Sequence, residues 1–178
     1  GSGALLASLE GHTAAAWSPA FRPGTTELAT AGSDGTVRVW DYAARKQVRA
    51  IEKLGNGLGA VAYSPDGRLM AAATWTFERG AGVKGWVHLW NAASGELVWK
   101  AEYGVKPIPA IAFRPDGGQL AAGTWDGWIG LFEVTGGGRA AAEVKITEPD
   151  GAYHAMQGLA YSPRSEERRV GKECRSRW

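Results

Sequence analysis

The segment most easily read as a catalytic motif is Gly80-Ala-Gly82-Val-Lys-Gly85, which has the G-x-G-x-x-G spacing of a dinucleotide-binding loop. Such a loop holds a pyrophosphate because it opens a helix, and the N–H groups at the helix N-terminus point at the anion. Here the glycines precede the alternating segment Trp86–Trp90, which predicts a strand. We therefore interpret the segment as a flexible loop and predict no nucleotide or other cofactor.

The ionisable residues show no catalytic or metal-binding spacing. The three histidines, His12, His88 and His154, are far apart in the sequence, and no nucleophile-elbow pattern accompanies them. Because His88 alternates with apolar neighbours, it is expected on the opposite side of its strand from them. Asp66 and Asp116 belong to Pro-Asp-Gly turns. The sequence therefore predicts no metal site, no catalytic residue and no enzymatic activity.

The composition favours many short strands joined by turns. The chain has 178 residues with 26 Gly and 9 Trp, and Gly, Pro and Asp interrupt its short apolar runs. No run of eighteen apolar residues is present, so no membrane partner is expected. The start has neither a leader pattern nor a methionine, which leaves an earlier native start open. The compartment is also left open, with the cytoplasm favoured.

The last fifteen residues, 164–178, break the pattern of the rest of the chain. Their sequence, RSEERRVGKECRSRW, resembles one reading frame of a common sequencing adapter, and the alternative is a natural charged tail. They hold six of the 20 basic and three of the 18 acidic residues, which leaves 14 and 15. Cys174, the single cysteine, also lies there. The remaining net charge of −1 gives no reason to expect a nucleic-acid partner.

A repeat runs through residues 1–163. Four segments place an aromatic residue two positions before a proline, at spacings of 42, 50 and 48 residues; the aromatics are Phe21, Tyr63, Phe113 and Tyr161. Each segment predicts a strand that ends in a turn, followed by a small-residue strand, an alternating strand and a fourth strand. Four strands in each repeat of this length predict a β-propeller blade. The predicted units are an outer strand at 4–10, blades at 14–52, 58–102 and 108–147, and the start of another blade at 156–163.

The first unit carries the most specific motif. Its Gly11-His12 pair and the run from Leu28 to Asp41 resemble a nearly complete WD repeat. The resemblance implies an all-β fold, a partial WD-repeat β-propeller of four-stranded antiparallel blades whose ring is not closed within this chain. It also implies a hydrogen-bonded tetrad that locks the blade, formed by His12, Thr30, Asp34 and Trp40.

The second and third units depart from this pattern. Asn56 stands where the histidine is expected, Ala72 and Ala122 replace the hydroxyl residue, and Phe132 replaces the tryptophan. Their tetrads are therefore incomplete. We expect these two blades to depend more on apolar packing than the first.

Residues 75–86 form the most distinctive insertion. They replace a tight turn of the Asp34-Gly35 type by a predicted loop about eight residues longer, and the resemblance places this turn on the face that commonly receives partners. Trp75 and Trp125 fall at equivalent positions of adjacent repeats. The predicted partner-binding residues are Trp75, Phe77, Arg79, Lys84, Trp125 and Trp128. The alternative is that the aromatics pack between blades and the glycine-rich loop has no function.

These features favour a non-catalytic scaffold that binds a protein or peptide partner on the propeller face. The alternative is a sensory or regulatory propeller portion of a larger multidomain enzyme, such as a kinase or protease. A propeller that is itself an enzyme would need convergent ionisable residues. The sequence offers Glu78, Arg79 and Lys84 on the relevant face, which is a weak basis for catalysis.

Overall fold

The computed structural model describes residues 8–51, 54–80, 82–146 and 158–162, and within them it contains twelve β-strands and no helix. The strands are β1 (Ala16–Phe21), β2 (Glu27–Gly32), β3 (Val37–Asp41), β4 (Lys46–Ile51), β5 (Gly57–Tyr63), β6 (Leu69–Glu78), β7 (Gly82–Asn91), β8 (Leu97–Glu102), β9 (Ala110–Phe113), β10 (Gln119–Gly123), β11 (Trp128–Glu133) and β12 (Ala140–Lys145).

The strands form three four-stranded antiparallel sheets in which consecutive strands are neighbours. The first sheet is β1–β4, the second is β5–β8 and the third is β9–β12. The first and second sheets meet through β1 and β2 against β5, and the second and third meet through β5 and β6 against β9. The predicted all-β fold of four-stranded blades in an unclosed arc is confirmed.

The Pro-Asp-Gly turns between the first two strands of a sheet form because each residue type suits its position. In the second sheet Gly67 has a φ of +69°, a conformation that costs glycine little. Its N–H donates to the carbonyl of Ser64 over 2.8 Å, which closes the turn. The Asp66 carboxylate accepts from the Ser64 hydroxyl and from the Arg68 N–H. Gly117 repeats the positive φ in the third sheet.

Alternation along the strands divides each sheet into two apolar faces. The layer between the first and second sheets includes Ala29, Ala31, Val37, Val39, Leu58, Val61, Met70 and Trp90. The layer between the second and third sheets includes Ala71, Ala73, Val87, Leu89, Ile108, Ile111, Leu120 and Phe132. Small residues on the second strand of a sheet let the next sheet approach closely, so the core consists of thin layers between blades.

The repeated aromatic of the first strand packs on the preceding sheet. Tyr63, Phe113 and Tyr161 are each partly buried against the sheet before them. Phe21, the first of the series, remains 65% exposed and contacts the Tyr42 ring edge-on. The first sheet therefore exposes an aromatic ring where the later repeats bury theirs in part.

Two side chains on the outermost strands link each sheet to the next. Arg49 donates to the carbonyls of Ala93 (2.7 Å) and Ala92 (3.4 Å) in the second sheet. Trp99 donates through Nε1 to the Val134 carbonyl of the third sheet over 2.9 Å. The two donors lie at the same register position of their sheets. The outer rim thus has a repeated hydrogen bond between blades that the sequence did not reveal.

Replacing Trp99 by phenylalanine should test this rim contact. We expect the free energy of unfolding to fall by about 1 to 2 kcal/mol, because the indole N–H is lost and the Val134 carbonyl loses its donor. Trp86→Phe is the matched control, since its indole makes a longer hydrogen bond, 3.2 Å, to Thr76 within its own sheet. Denaturant titrations should show a clearly smaller loss for the control, and equal losses would contradict a specific role for the rim bond.

Two predicted segments at the ends of the arc carry no strand where they are described. Residues 8–10 of the predicted outer strand 4–10 are irregular, and 4–7 lie outside the described residues. Gly11, which follows this segment, lies against the first sheet, because a Cβ there would be 3.0 Å from the Trp40 ring. Residues 158–162 are also irregular, yet Leu159 and Tyr161 pack on the third sheet. Residues 164–178, and His154, lie outside the described part.

Candidate functional site

The first blade brings together the four side chains of the predicted tetrad. His12 Nε2 lies 2.7 Å from the Thr30 hydroxyl, and His12 Nδ1 lies 3.0 Å from the Asp34 carboxylate. The Trp40 indole donates to the Thr30 hydroxyl over 2.8 Å. A neutral imidazole with its proton on Nδ1 satisfies all three contacts, because Nε2 then accepts from Thr30.

The Asp34 carboxylate is the centre of this network. It also accepts from the backbone N–H groups of Thr13 (2.9 Å) and Thr36 (3.2 Å) and from the Thr36 hydroxyl (2.8 Å). Burial by itself raises the pKa of Asp34, but the hydrogen bonds from Thr13, Thr36 and His12 outweigh it and hold the pKa far below its ordinary value. Every polar group of the tetrad has a partner within the blade, so the tetrad stabilises the blade.

In the second blade, His88 occupies the space that corresponds to the one filled by His12 in the first blade. This side chain is buried, stacks on Trp90 with the ring centroids 5.3 Å apart, and places Nε2 3.2 Å from the Thr74 hydroxyl. Burial, helped by the positive charge of Lys100, lowers the pKa of His88 to about 4. His88 is therefore neutral near pH 7 and belongs to the contact between the first and second blades.

In the third blade, the space that corresponds to the position of His88 is filled by Tyr103, a residue that does not belong to the third sheet. In the second sheet His88 pairs with Ala72, and in the third sheet the residue paired with Ala122 at that position is Gly130. The Tyr103 ring occupies the space, since a Cβ at Gly130 would be 2.6 Å from it. Tyr103 meets Phe132 edge-on at 5.3 Å, and burial raises the pKa of its hydroxyl, which has no hydrogen-bond partner among the described residues. The third blade thus depends on ring packing.

The predicted long loop at 75–86 is wrong, because these residues extend the sheet as a β-hairpin. Strands β6 and β7 pair without interruption as far as Glu78 opposite Gly82. Phe77 and Val83, which favour strand conformation, face each other across the hairpin, and Gly80 supplies a φ of +91° at its tip. The hairpin rises beyond β5 and β8, whose last pairs are with Trp75 and Trp86.

Glycines allow two loops to hold the base of this hairpin. A Cβ at Gly55, in the loop that leads into β5, would be 2.5 Å from the Trp75 carbonyl oxygen. A Cβ at Gly85 would be 2.7 Å from the Lys106 carbonyl in the loop that joins β8 to β9. A side chain at either position would force the loop away from the hairpin. The base is therefore fixed on both sides.

The charged residues of the hairpin are partly engaged with one another. Lys84 Nζ lies 3.3 Å from Glu78 and 3.5 Å from Glu102. The hydrogen bond that Lys84 donates to Glu78, with the charge of Glu102, raises the pKa of Lys84. Lys84 was predicted to contact a partner, and the structure places it in an ion-pair group that joins β6, β7 and β8. Arg79 is exposed at the hairpin tip.

The other predicted partner residues lie along the boundary between the second and third sheets. The strand alternation directs Trp75, Phe77 and Val83 to the side of the second sheet that faces the third. It directs Trp128 to the side of the third sheet that faces the second. We call this the hairpin cleft, and its members are Trp75, Phe77, Val83, Val105, Trp125 and Trp128.

The hairpin cleft presents an unusual amount of exposed apolar surface. Phe77 is 60% exposed, Val105 67%, Trp125 51% and Trp128 37%. Val105 belongs to the loop that connects the two blades, and the Trp125 N–H donates to the Pro107 carbonyl of that loop over 3.1 Å. Lys145 Nζ lies 5.1 Å from the Trp128 ring centroid, a cation–π contact that supports this ring. Val105 was missed by sequence reasoning, because nothing in its local pattern marks it as exposed.

Metal-ligand groups and membrane-spanning helices are both absent from the described ranges. No group of three His, Cys, Asp or Glu side chains in the described ranges is arranged to hold a metal ion. No helix in that part of the chain is long and apolar enough to cross a membrane.

Three meandering four-stranded sheets stacked side by side, the first locked by its tetrad, define a propeller-type repeat protein. The family profile described as "WD domain, G-beta repeat" matches residues 3–41 and 102–133. These two segments of the chain are therefore WD-repeat sequence.

Short segments of the chain are similar to parts of larger curated proteins. The spindle assembly checkpoint protein bub3 of Schizosaccharomyces pombe is 37% identical over 62 residues, which cover 35% of this chain and 19% of that protein. The mitotic checkpoint protein BUB3.1 of Arabidopsis thaliana is 39% identical over 62 residues, covering 34% and 18%. Subunit I of eukaryotic translation initiation factor 3 from Phaeosphaeria nodorum is 32% identical over 73 residues, covering 41% and 22%. The chain thus spans about a fifth of each of these relatives.

Proposed function

We propose that this chain is a non-catalytic scaffold that binds a peptide segment of a protein partner in the hairpin cleft. The observation that carries the proposal is the set of four large exposed apolar side chains, contributed by three separate segments, along one boundary between blades. Isolated exposed apolar residues are ordinary, whereas a contiguous group marks an interaction surface. Trp and Arg are the residue types that most often dominate binding energy, and Trp125 and Arg79 are both available.

The rigidity of the supporting structure strengthens the proposal. The hairpin is continuous with a sheet, and its base is held by glycine contacts on both sides. A preformed surface loses little conformational entropy on binding. The matched relatives also favour a role in assemblies, because one is by name a subunit of a translation initiation factor.

The proposal can be tested with a displayed library of random dodecapeptides selected on the full chain, after circular dichroism has shown that it is folded. We expect the enriched peptides to lose at least about tenfold in affinity against Trp125→Ala and against a variant lacking residues 76–84. Phe21→Ala is the matched control, because Phe21 is equally exposed but lies at the opposite end of its blade.

Affinity for the enriched peptides should be unchanged in the control. The proposal is wrong if the folded chain enriches no peptide. It is also wrong if both cleft variants bind the peptides as well as the unchanged chain does.

A further inference from the structure

Asn56 makes a contact that no WD tetrad requires. The Gly55-Asn56 pair stands where the first blade has Gly11-His12. In the first blade His12 turns inward to Thr30. Asn56 instead accepts a hydrogen bond at Oδ1 from the backbone N–H of Phe77, over 2.6 Å.

This contact continues the sheet past the end of β5. The last β5 pair joins Gly57 to Trp75, and the Asn56 N–H then donates to the Trp75 carbonyl over 2.8 Å. The Asn56 side chain supplies the next acceptor along the same edge, at the Phe77 N–H. One residue therefore provides two consecutive rungs, one from its backbone and one from its amide.

The second of these hydrogen bonds, to the Asn56 side chain, lies in the part of the hairpin that extends beyond β5 and β8. Phe77 is opposite Val83, near the tip, and its ring is largely exposed. An unpaired edge N–H there would be open to water or to another strand. The hydrogen bond from Phe77 to Asn56 fixes the backbone of the residue that presents the large exposed apolar side chain of the hairpin.

We propose that Asn56 is the positioning residue of the hairpin cleft, because it holds Phe77 in the orientation that a bound peptide requires. This inference rests on the proposed function for its binding consequence, while the effect on the hairpin itself is independent of any partner. The position vacated by the tetrad histidine has thereby become part of the binding surface.

The test uses Asn56→Ala, which removes the acceptor, and Asn56→Asp, which keeps an oxygen at the same place. Asn91→Ala is the matched control, since Asn91 caps the turn at the far end of the same blade through the Ala93 and Ser94 N–H groups. The first measurement is amide hydrogen exchange at Phe77 by NMR. The second is affinity for the dodecapeptides enriched on the unchanged chain.

In Asn56→Ala we expect exchange at Phe77 to be about tenfold faster and peptide affinity to be about three- to tenfold weaker. Asn56→Asp should keep both the Phe77 exchange rate and the peptide affinity close to those of the unchanged chain. Asn91→Ala should leave Phe77 exchange unchanged even if it lowers the melting temperature. Unchanged Phe77 exchange in Asn56→Ala would overturn the inference.

The two proposals fail in different ways. Faster Phe77 exchange with undiminished peptide affinity would overturn the positioning role in binding, while Trp125→Ala still reports on the cleft. If no peptide binds at the cleft, the proposed function fails, and with it the binding consequence of Asn56.

Discussion

Replacing Asp34 by alanine is expected to lower the free energy of unfolding by about 3 to 5 kcal/mol, because several donors lose their shared acceptor at about 1 to 3 kcal/mol each. The carboxylate accepts hydrogen bonds from His12, from the Thr13 N–H and from both the N–H and the hydroxyl of Thr36. Its loss leaves these donors unsatisfied in a largely buried setting. Denaturant unfolding followed by tryptophan fluorescence measures the change, since Trp40 belongs to the same network.

Asp126→Ala is the matched control for this result. Asp126 lies at the equivalent position of the third blade, where it accepts from the Thr124 hydroxyl over 2.6 Å. We expect a loss of about 1 to 2 kcal/mol there, because a single neutral donor is left without its acceptor. Losses of equal size in the two variants would show that the tetrad does not stabilise the first blade beyond an ordinary turn contact.

The features that could be predicted from the sequence are those determined within a few residues. The Pro65-Asp66-Gly67 turn needs its glycine at positive φ and its aspartate as an acceptor, and both appear in the structure. The blades follow because such turns recur at regular intervals between short strands. Residue spacing was therefore enough to predict the four-stranded repeat, and the resemblance to WD repeats supplied the unclosed arc.

The features that could not be predicted depend on contacts between blades or on a choice between turn and strand. Tyr103 packs where Gly130 leaves space in the next sheet, and no local pattern connects the two residues. The 75–86 segment contains both glycines and strand formers. In the structure Phe77 pairs with Val83, and the segment forms a hairpin. Asn56 was visible as a departure from the repeat, but its contact with Phe77 exists only because that hairpin forms.

The second large effect expected is a loss of stability as the pH falls from about 6.5 towards 4, caused by His88. The folded chain holds the pKa of His88 at about 4, against 6.5 for an unperturbed histidine. Between these values the unfolded chain binds a proton that the folded chain excludes, so acid favours unfolding. Above pH 6.5 the residue is neutral in both states. The difference amounts to about 3 kcal/mol once the pH has reached the folded value.

Asp34 affects stability in a separate and lower pH range. Its pKa is lowered by folding, so its contribution is complete above its ordinary value of 3.8 and is lost as the pH falls below that. Unfolding free energies measured between pH 7 and about pH 4.5 should therefore report mainly on the histidine.

His88→Phe separates this effect from general acid sensitivity. Phenylalanine keeps an aromatic ring against Trp90 but cannot be protonated, so its free energy of unfolding should change much less over the same pH range. NMR titration of the His88 ring in the unchanged chain is a second measurement, and it should show a midpoint well below that of a free histidine. A pH slope in His88→Phe equal to that of the unchanged chain, or a ring that titrates near pH 6.5, would show that burial between the first two blades does not exclude the proton. The expected result would make the first blade boundary the part of the arc most sensitive to acid, because His88, Trp90 and Thr74 all lie on the side of the second sheet that meets the first.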